Sequence, residues 1–100
     1  MPIGAFVNNI PMPLFMLVHL TGFVVGAVLA YRSFGGGARL FGSGFALYAL
    51  AEVSYMTYHL DWTVFLFAHT ISEVFDLLGF VLVFAGLARR GIKAPVASNR

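Results

Sequence analysis

The chain has 100 residues, of which 60% are hydrophobic and only 10% charged, and its mean hydropathy is +0.89. Soluble domains carry about 25% charged residues, so this composition offers too little polar surface to cover a water-soluble domain, and the length allows one domain at most. The lack of cysteine excludes disulfides, thiolate metal sites, c-type haem attachment and cysteine nucleophiles, while the basic residues behind the net charge of +2 sit in short clusters at the ends of apolar runs, which suits membrane flanks and not nucleic acid.

Residues 1–11 contain no charged side chain, and Pro2, Asn8, Asn9 and Pro11 mark an irregular or interfacial lead-in. A signal peptide would need a positive n-region. The spacing predicts instead a retained membrane helix over residues 12–31, with Pro13 in the first turn, where proline is tolerated. Twenty residues at about 1.5 Å each match the roughly 30 Å hydrocarbon core. Three consecutive glycines between Arg32 and Arg39 break that helix. A second span is expected over 40–60, ending in the polar turn His59-Leu60-Asp61-Trp62. Trp62, Tyr55 and Tyr58 suit an interfacial aromatic belt. The third run, 63–88, is the longest and ends at Arg89 and Arg90. Pro95 is expected to stop it and leave 89–100 as a mobile polar tail.

Positive residues orient such helices. Arg32 and Arg39 fall in the first loop, and Arg89, Arg90, Lys93 and Arg100 follow the third helix. Both groups belong on the cytoplasmic side, so the fold expected is an all-α, integral membrane three-helix bundle, N-out and C-in, with no soluble domain. A bacterial-type inner (cytoplasmic) membrane fits this pattern. There is no internal repeat, and three helices cannot hold a complete inverted pair.

Three of the four acidic residues, Glu52, Glu73 and Asp76, lie inside predicted helices with His19 and His69. Burying a charge at the centre of a membrane helix costs about 2.5–3.5 kcal/mol, so something must offset these groups. Helical spacing gathers them into stripes: His69, Glu73, Asp76 and Phe80 on the third helix, Phe41, Tyr48, Glu52, Tyr55 and His59 on the second, and Phe15, His19, Gly22 and Gly26 on the first. Counting about 1.5 Å per residue from the outer boundary puts His19 and His69 about 10 Å deep, Glu52 about 12 Å, Glu73 about 16 Å and Asp76 about 21 Å. The first four share one layer and Asp76 lies below it.

Several readings follow from that layer. In one, the carboxyls and imidazoles satisfy each other, with Tyr48 or Tyr55 donating to Glu52, and hold the helices in register. In another, His19 and His69, level on different helices, are two axial ligands of a b-type haem. A single histidine could instead ligate a chlorophyll-type pigment, and a quinone is a third flat cofactor the aromatic content would suit. His69 and Glu73 could share a metal, although His-x-x-x-Glu is not the Glu-x-x-His of di-iron bundles. Glu52, Glu73 and His69 could relay protons or ions in a homo-oligomer. Asp76 has no partner to name in the chain and so points outside it.

Gly22 and Gly26 form a GxxxG pair on the His19 stripe and should bring His19 close to a neighbouring helix. Gly79 and Gly86, about 100° round the third helix from its polar stripe, are expected to face another subunit. No G-x-S-x-G, Walker, HExxH or dinucleotide-binding motif occurs, so no enzyme is expected. In size and aromatic content the chain resembles small anchor subunits such as the membrane anchors of succinate dehydrogenase, but the Ser-x-x-Arg pattern of their quinone site is missing and no family is assigned. The function expected is a small non-catalytic subunit of a larger membrane complex, respiratory or photosynthetic, packed against other subunits or its own copies in the bilayer. The runners-up are a cofactor-binding electron-transfer anchor and a homo-oligomeric proton or ion conductor.

Overall fold

A computed structural model describes residues 3–98, with side chains described through residue 90. A short 3-10 helix, Ala5–Asn9, precedes three α-helices: α1, Met12–Gly35, α2, Arg39–His59, and α3, Phe65–Ser98. The described residues contain no strand. The lead-in is thus a helical turn, although no side chain caps it.

Both connections are tight because each ends in the same backbone device. After α1, the Ala38 amide donates to the Ser33 carbonyl (2.8 Å) and the Gly37 amide to that of Phe34 (3.0 Å). Gly37 takes the left-handed conformation, φ 80°, that this pair of bonds requires. After α2, the Trp62 amide donates to the Thr57 carbonyl (2.9 Å) and the Asp61 amide to that of Tyr58 (3.0 Å), with Asp61 at φ 64°. Only Gly36, Gly37 and Ala38 separate α1 from α2, less than the expected 32–39 loop. The last turn of α1 absorbs Arg32 and Gly35, because an arginine and one glycine do not break a helix until the left-handed residue ends it.

The third helix also differs from expectation. It runs through Pro95 to Ser98 instead of ending at 88. A proline removes one amide and crowds one carbonyl, which weakens a helix without always ending it, and the neighbouring Ala94, Ala97 and Lys93 favour helix. The side chains of the expected polar tail beyond residue 90 lie outside the described residues.

Small residues fix the packing. Gly42 and Ala49 line one flank of α2, and Gly44 and Ala51 the other; all four are buried. The two pairs are offset by two positions, about 200° around the helix. Gly42 receives the Phe34 ring of α1, and Gly44 receives Val83 and the Gly79 carbonyl of α3. Ser72, fully buried, donates its hydroxyl to the Ala51 carbonyl at 3.0 Å. Flanked in this way, α2 touches both neighbours, and α1 and α3 do not touch each other. The expected all-α set of three helices is therefore arranged as an open layer, 57 × 29 × 21 Å, with α1 and α3 on opposite flanks of α2. Two glycines expected to face another subunit are buried against α2: Gly79 against Gly44, and Gly86 against Leu40 and Phe41.

Two helices are long and apolar enough to cross a membrane, Met12–Gly35 and the Phe65–Arg90 part of α3. Both leave large apolar side chains bare, including Leu17, Val18, Leu77, Phe80 and Phe84. The middle helix is less apolar because it holds Glu52, three tyrosines and His59.

Candidate functional site

The polar side chains of all three helices converge on one face of the layer, the concave side over α2 that the gap between α1 and α3 leaves open. Tyr48, Glu52, Tyr55 and His59 recur at helical spacing along α2 and look out of this face, with α1 and α3 as its walls.

At the end that carries the 60–64 turn, His19 of α1 meets Glu52 of α2. Its Nδ1 donates to Glu52 Oε2 at 2.7 Å, and the two side chains are 17% and 15% exposed. A short, charge-assisted contact of this kind satisfies both groups away from water. Gly22 makes it possible: a methyl group there would stand 2.9 Å from both the Glu52 Cδ and the Tyr48 hydroxyl. At Gly26 a methyl group would stand 2.8 Å from the Tyr48 ring and 3.2 Å from the Phe45 carbonyl. Both glycines thus face α2 and let its large side chains lie flat against α1.

Around this pair six rings form a closed circuit. His19 stacks on Tyr55 with centroids 5.0 Å apart, and the Tyr55 hydroxyl lies 3.4 Å from His69 Nδ1 of α3, a long hydrogen bond. His69 stacks on Phe65 at 5.3 Å, Phe65 meets Tyr58 edge-on at 5.4 Å, and Tyr58 packs on His59 at 5.0 Å. His59 returns to His19 at 5.1 Å, and Phe15 caps it face to face at 5.0 Å. Contacts of this geometry add about 0.5–1.5 kcal/mol each beyond the area they bury. Thr57 and Thr63 hydroxyls, 3.0 Å apart, brace the turn beneath the circuit.

The structure therefore joins His19, Glu52, Tyr55 and His69 in one layer, and it separates the other two acids from it. Glu73 was expected to share in that mutual satisfaction. It lies exposed on α3 with no side-chain hydrogen bond among the described residues. Asp76 lies lower, with Oδ1 buried and unpartnered. The haem reading does not fit. Tyr55 occupies the space between His19 and His69, and Glu52 already engages His19, so the two imidazoles do not face a common centre. Among the described residues no three His, Asp or Glu side chains are placed to hold a metal.

Below the circuit the open face becomes an apolar groove. A cavity of about 420 Å³ there is walled by Val25, Leu29, Phe45, Phe80 and Val83, floored by Gly44 and Gly79, and topped by Tyr48 and Asp76. Asp76 thus presents the one carboxyl of the groove at its upper rim. Towards the arginine end the lining of this groove is apolar, and Ser33 is the next polar side chain, in the neighbouring cavity.

The spacing of the sequence put His59 on the α2 stripe, but its place in a polar turn hid its role. It is the hub of the ring circuit, and Phe15, four residues before His19, was the available signal. Ser72 was visible only as the edge of a stripe; its burial reflects the small-residue spacing Ala68, Ser72, Gly79 and Gly86 on α3. The chain matches no protein-family model, no curated protein and no solved structure.

Proposed function

We propose that the chain is an integral membrane protein of three spans, N-out and C-in, and a small non-catalytic subunit of a larger assembly in a cytoplasmic-type membrane. The unpartnered Asp76 oxygen at the rim of an open, apolar groove is the observation that supports this reading. In hydrocarbon a polar atom without a partner costs several kcal/mol, and nothing among the described residues supplies one. A helix of another subunit laid in the groove brings a hydrogen-bond donor to Asp76 and covers the bare flanks of α1 and α3.

The arrangement of α2 supports three spans. Its 21 residues reach about 31 Å at 1.5 Å per residue, enough to cross. Its lower apolarity is no obstacle where both flanks are covered by neighbours and its acid is bonded to His19. The bare apolar side chains of α1 and α3 suit contact with lipid, since soluble monomers rarely expose contiguous apolar patches beyond a few hundred Å².

Two experiments test the reading. The chain has no cysteine, so single cysteines at Asn9, Gly36 and Trp62 report topology by membrane-impermeant labelling. Asn9→Cys and Trp62→Cys are expected to label from outside and Gly36→Cys only after the membrane is opened; the reverse pattern overturns the orientation. Purification in mild detergent then compares wild type with Asp76→Leu. The wild type is expected to elute with partner subunits and the variant to lose them, while the variant chain alone gains about 1 kcal/mol of stability because a buried unsatisfied group is gone. A wild-type chain that elutes alone from native membranes sinks the subunit reading.

A further inference from the structure

The four Lys and Arg residues with described side chains, Arg32, Arg39, Arg89 and Arg90, belong to one end of the fold, near the 36–38 loop. None of them is paired among the described residues: the single ion pair there is His19–Glu52, at the opposite end. Two cavities open side by side around Arg90. One, of about 410 Å³, is bordered by Arg39, Arg89 and Arg90 and by the glycine loop. The other, of about 330 Å³, brings Arg32 of α1 and Arg90 of α3 to the same space, with Ser33 and the apolar Leu29, Phe41 and Phe45. The Arg90 guanidinium carbon sits 5.0 Å from the centroid of the Phe41 ring, a cation–π contact that holds the charge over the cavity instead of letting it swing into solvent.

The second cavity adjoins the apolar groove below Asp76, with Leu29 and Phe45 lining both. The combined shape has two arginines from separate helices at its mouth and an apolar slot behind them. Two guanidinium groups facing one space repel unless an anion lies between them, and the slot has no use for a free anion. A zwitterionic lipid would suit the slot but would leave the arginine pair without a net counter-charge.

The geometry points to a binding site for one anionic phospholipid of the cytoplasmic leaflet, its phosphate between Arg32 and Arg90 and one acyl chain along Leu29 and Phe45. Basic pockets between helices at the cytoplasmic surface take anionic head groups for the same electrostatic reason. Arg39 and Arg89 flank the mouth and attract any further negative charge on the head group. The lipid enters the groove from the arginine end and leaves the Asp76 rim open to the partner helix. This inference rests on the membrane reading above.

The test uses the full chain in mild-detergent micelles, titrated with phosphatidylglycerol, phosphatidylcholine or inorganic phosphate and followed by native mass spectrometry and thermal unfolding. Phosphatidylglycerol is expected to remain bound and raise the unfolding temperature, with phosphatidylcholine at least about fivefold weaker by the loss of one net charge contact and inorganic phosphate without effect. The Arg32→Gln/Arg90→Gln pair is expected to lower phosphatidylglycerol affinity about 30-fold, two charges at about a factor of five each. Arg39→Gln/Arg89→Gln removes the same charge from the flanks of the mouth, outside the Arg32–Arg90 cavity, and is expected to change affinity less than threefold. Equal retention of the two lipids, equal action of inorganic phosphate, or equal losses in the two double variants each overturns the site. Carbonate extraction separates the two failures. A chain that stays in the membrane pellet but shows no lipid preference overturns the site alone, and a chain released by carbonate overturns the membrane reading with it.

Discussion

Asp61 holds the turn after α2 at φ 64°, where a side chain ordinarily costs about 1–2 kcal/mol and glycine costs nothing sterically. Aspartate is among the residues that tolerate it, so the strain is partial. Asp61→Gly is expected to raise stability by about 0.5–1 kcal/mol, read as a higher unfolding temperature in detergent with helicity unchanged. The His19–Glu52 contact can be measured in the same way. Interhelical polar bonds in membrane proteins average about 0.6 kcal/mol and reach about 1.7. A double-mutant cycle of His19→Ala and Glu52→Ala is expected to return a coupling towards the upper value, because the bond is short and the ring of His19 is fixed on both faces by Tyr55 and His59. A coupling near zero would mean that ring packing, not the bond, holds the two helices in register.

Small residues set the relation between helices, and they explain what the sequence revealed and what it hid. The stripes on α1, α2 and α3 followed from spacing alone, and the His19–Glu52 contact joins two residues that counting along the helices put about 10 and 12 Å deep. Spacing says which residues share a face of one helix. It does not say which neighbour covers that face, and so Gly79 and Gly86 were assigned to another subunit when α2 covers them. Hydropathy is nearly silent on glycine, alanine and serine, so the Gly42/Ala49 and Gly44/Ala51 flanks of α2 gave no signal that α1 and α3 would lie on opposite sides of it. Glu73 was misplaced for a related reason: it shares the His69 stripe, about 40° round after four residues, but a shared stripe does not fix which side chains of α2 come within reach. The flanks can be tested directly. A Cβ at Gly44 would come within 2.6 Å of Val83 and 2.8 Å of the Gly79 carbonyl. Gly44→Leu is expected to cost more than the usual 1–3 kcal/mol of overpacking and to increase labelling of cysteines placed along the α2–α3 seam. Gly35→Leu, where nothing lies within 4 Å, serves as the control and is expected to do neither.

The molecule as a whole is a layer one helix thick, and its two outer helices are the greasiest parts of the chain. Its polar groups are collected on one side of that layer, mutually satisfied near the 60–64 turn and unsatisfied at Asp76. Asp76 lines the groove that the open layer leaves between α1 and α3, with its Oδ1 buried and unpartnered. Under the membrane reading proposed above, this architecture also bears on how the protein is made. Helices leave the insertion machinery in chain order, and each is admitted to lipid according to its own apolarity. The middle helix is the least suited to enter alone, since Glu52 and its tyrosines would meet acyl chains before either neighbour covered them. His19 is already in place when α2 emerges, one turn from the glycines that receive Tyr48 and Glu52. A fusion bearing residues 39–64 alone is expected to insert in a minority of molecules when scored by glycosylation mapping, a fusion of 12–64 in most of them, and the His19→Ala form of the longer fusion in between. The first two helices would then enter the bilayer as a hairpin whose ion pair forms during synthesis, with α3 added to a platform that already exists.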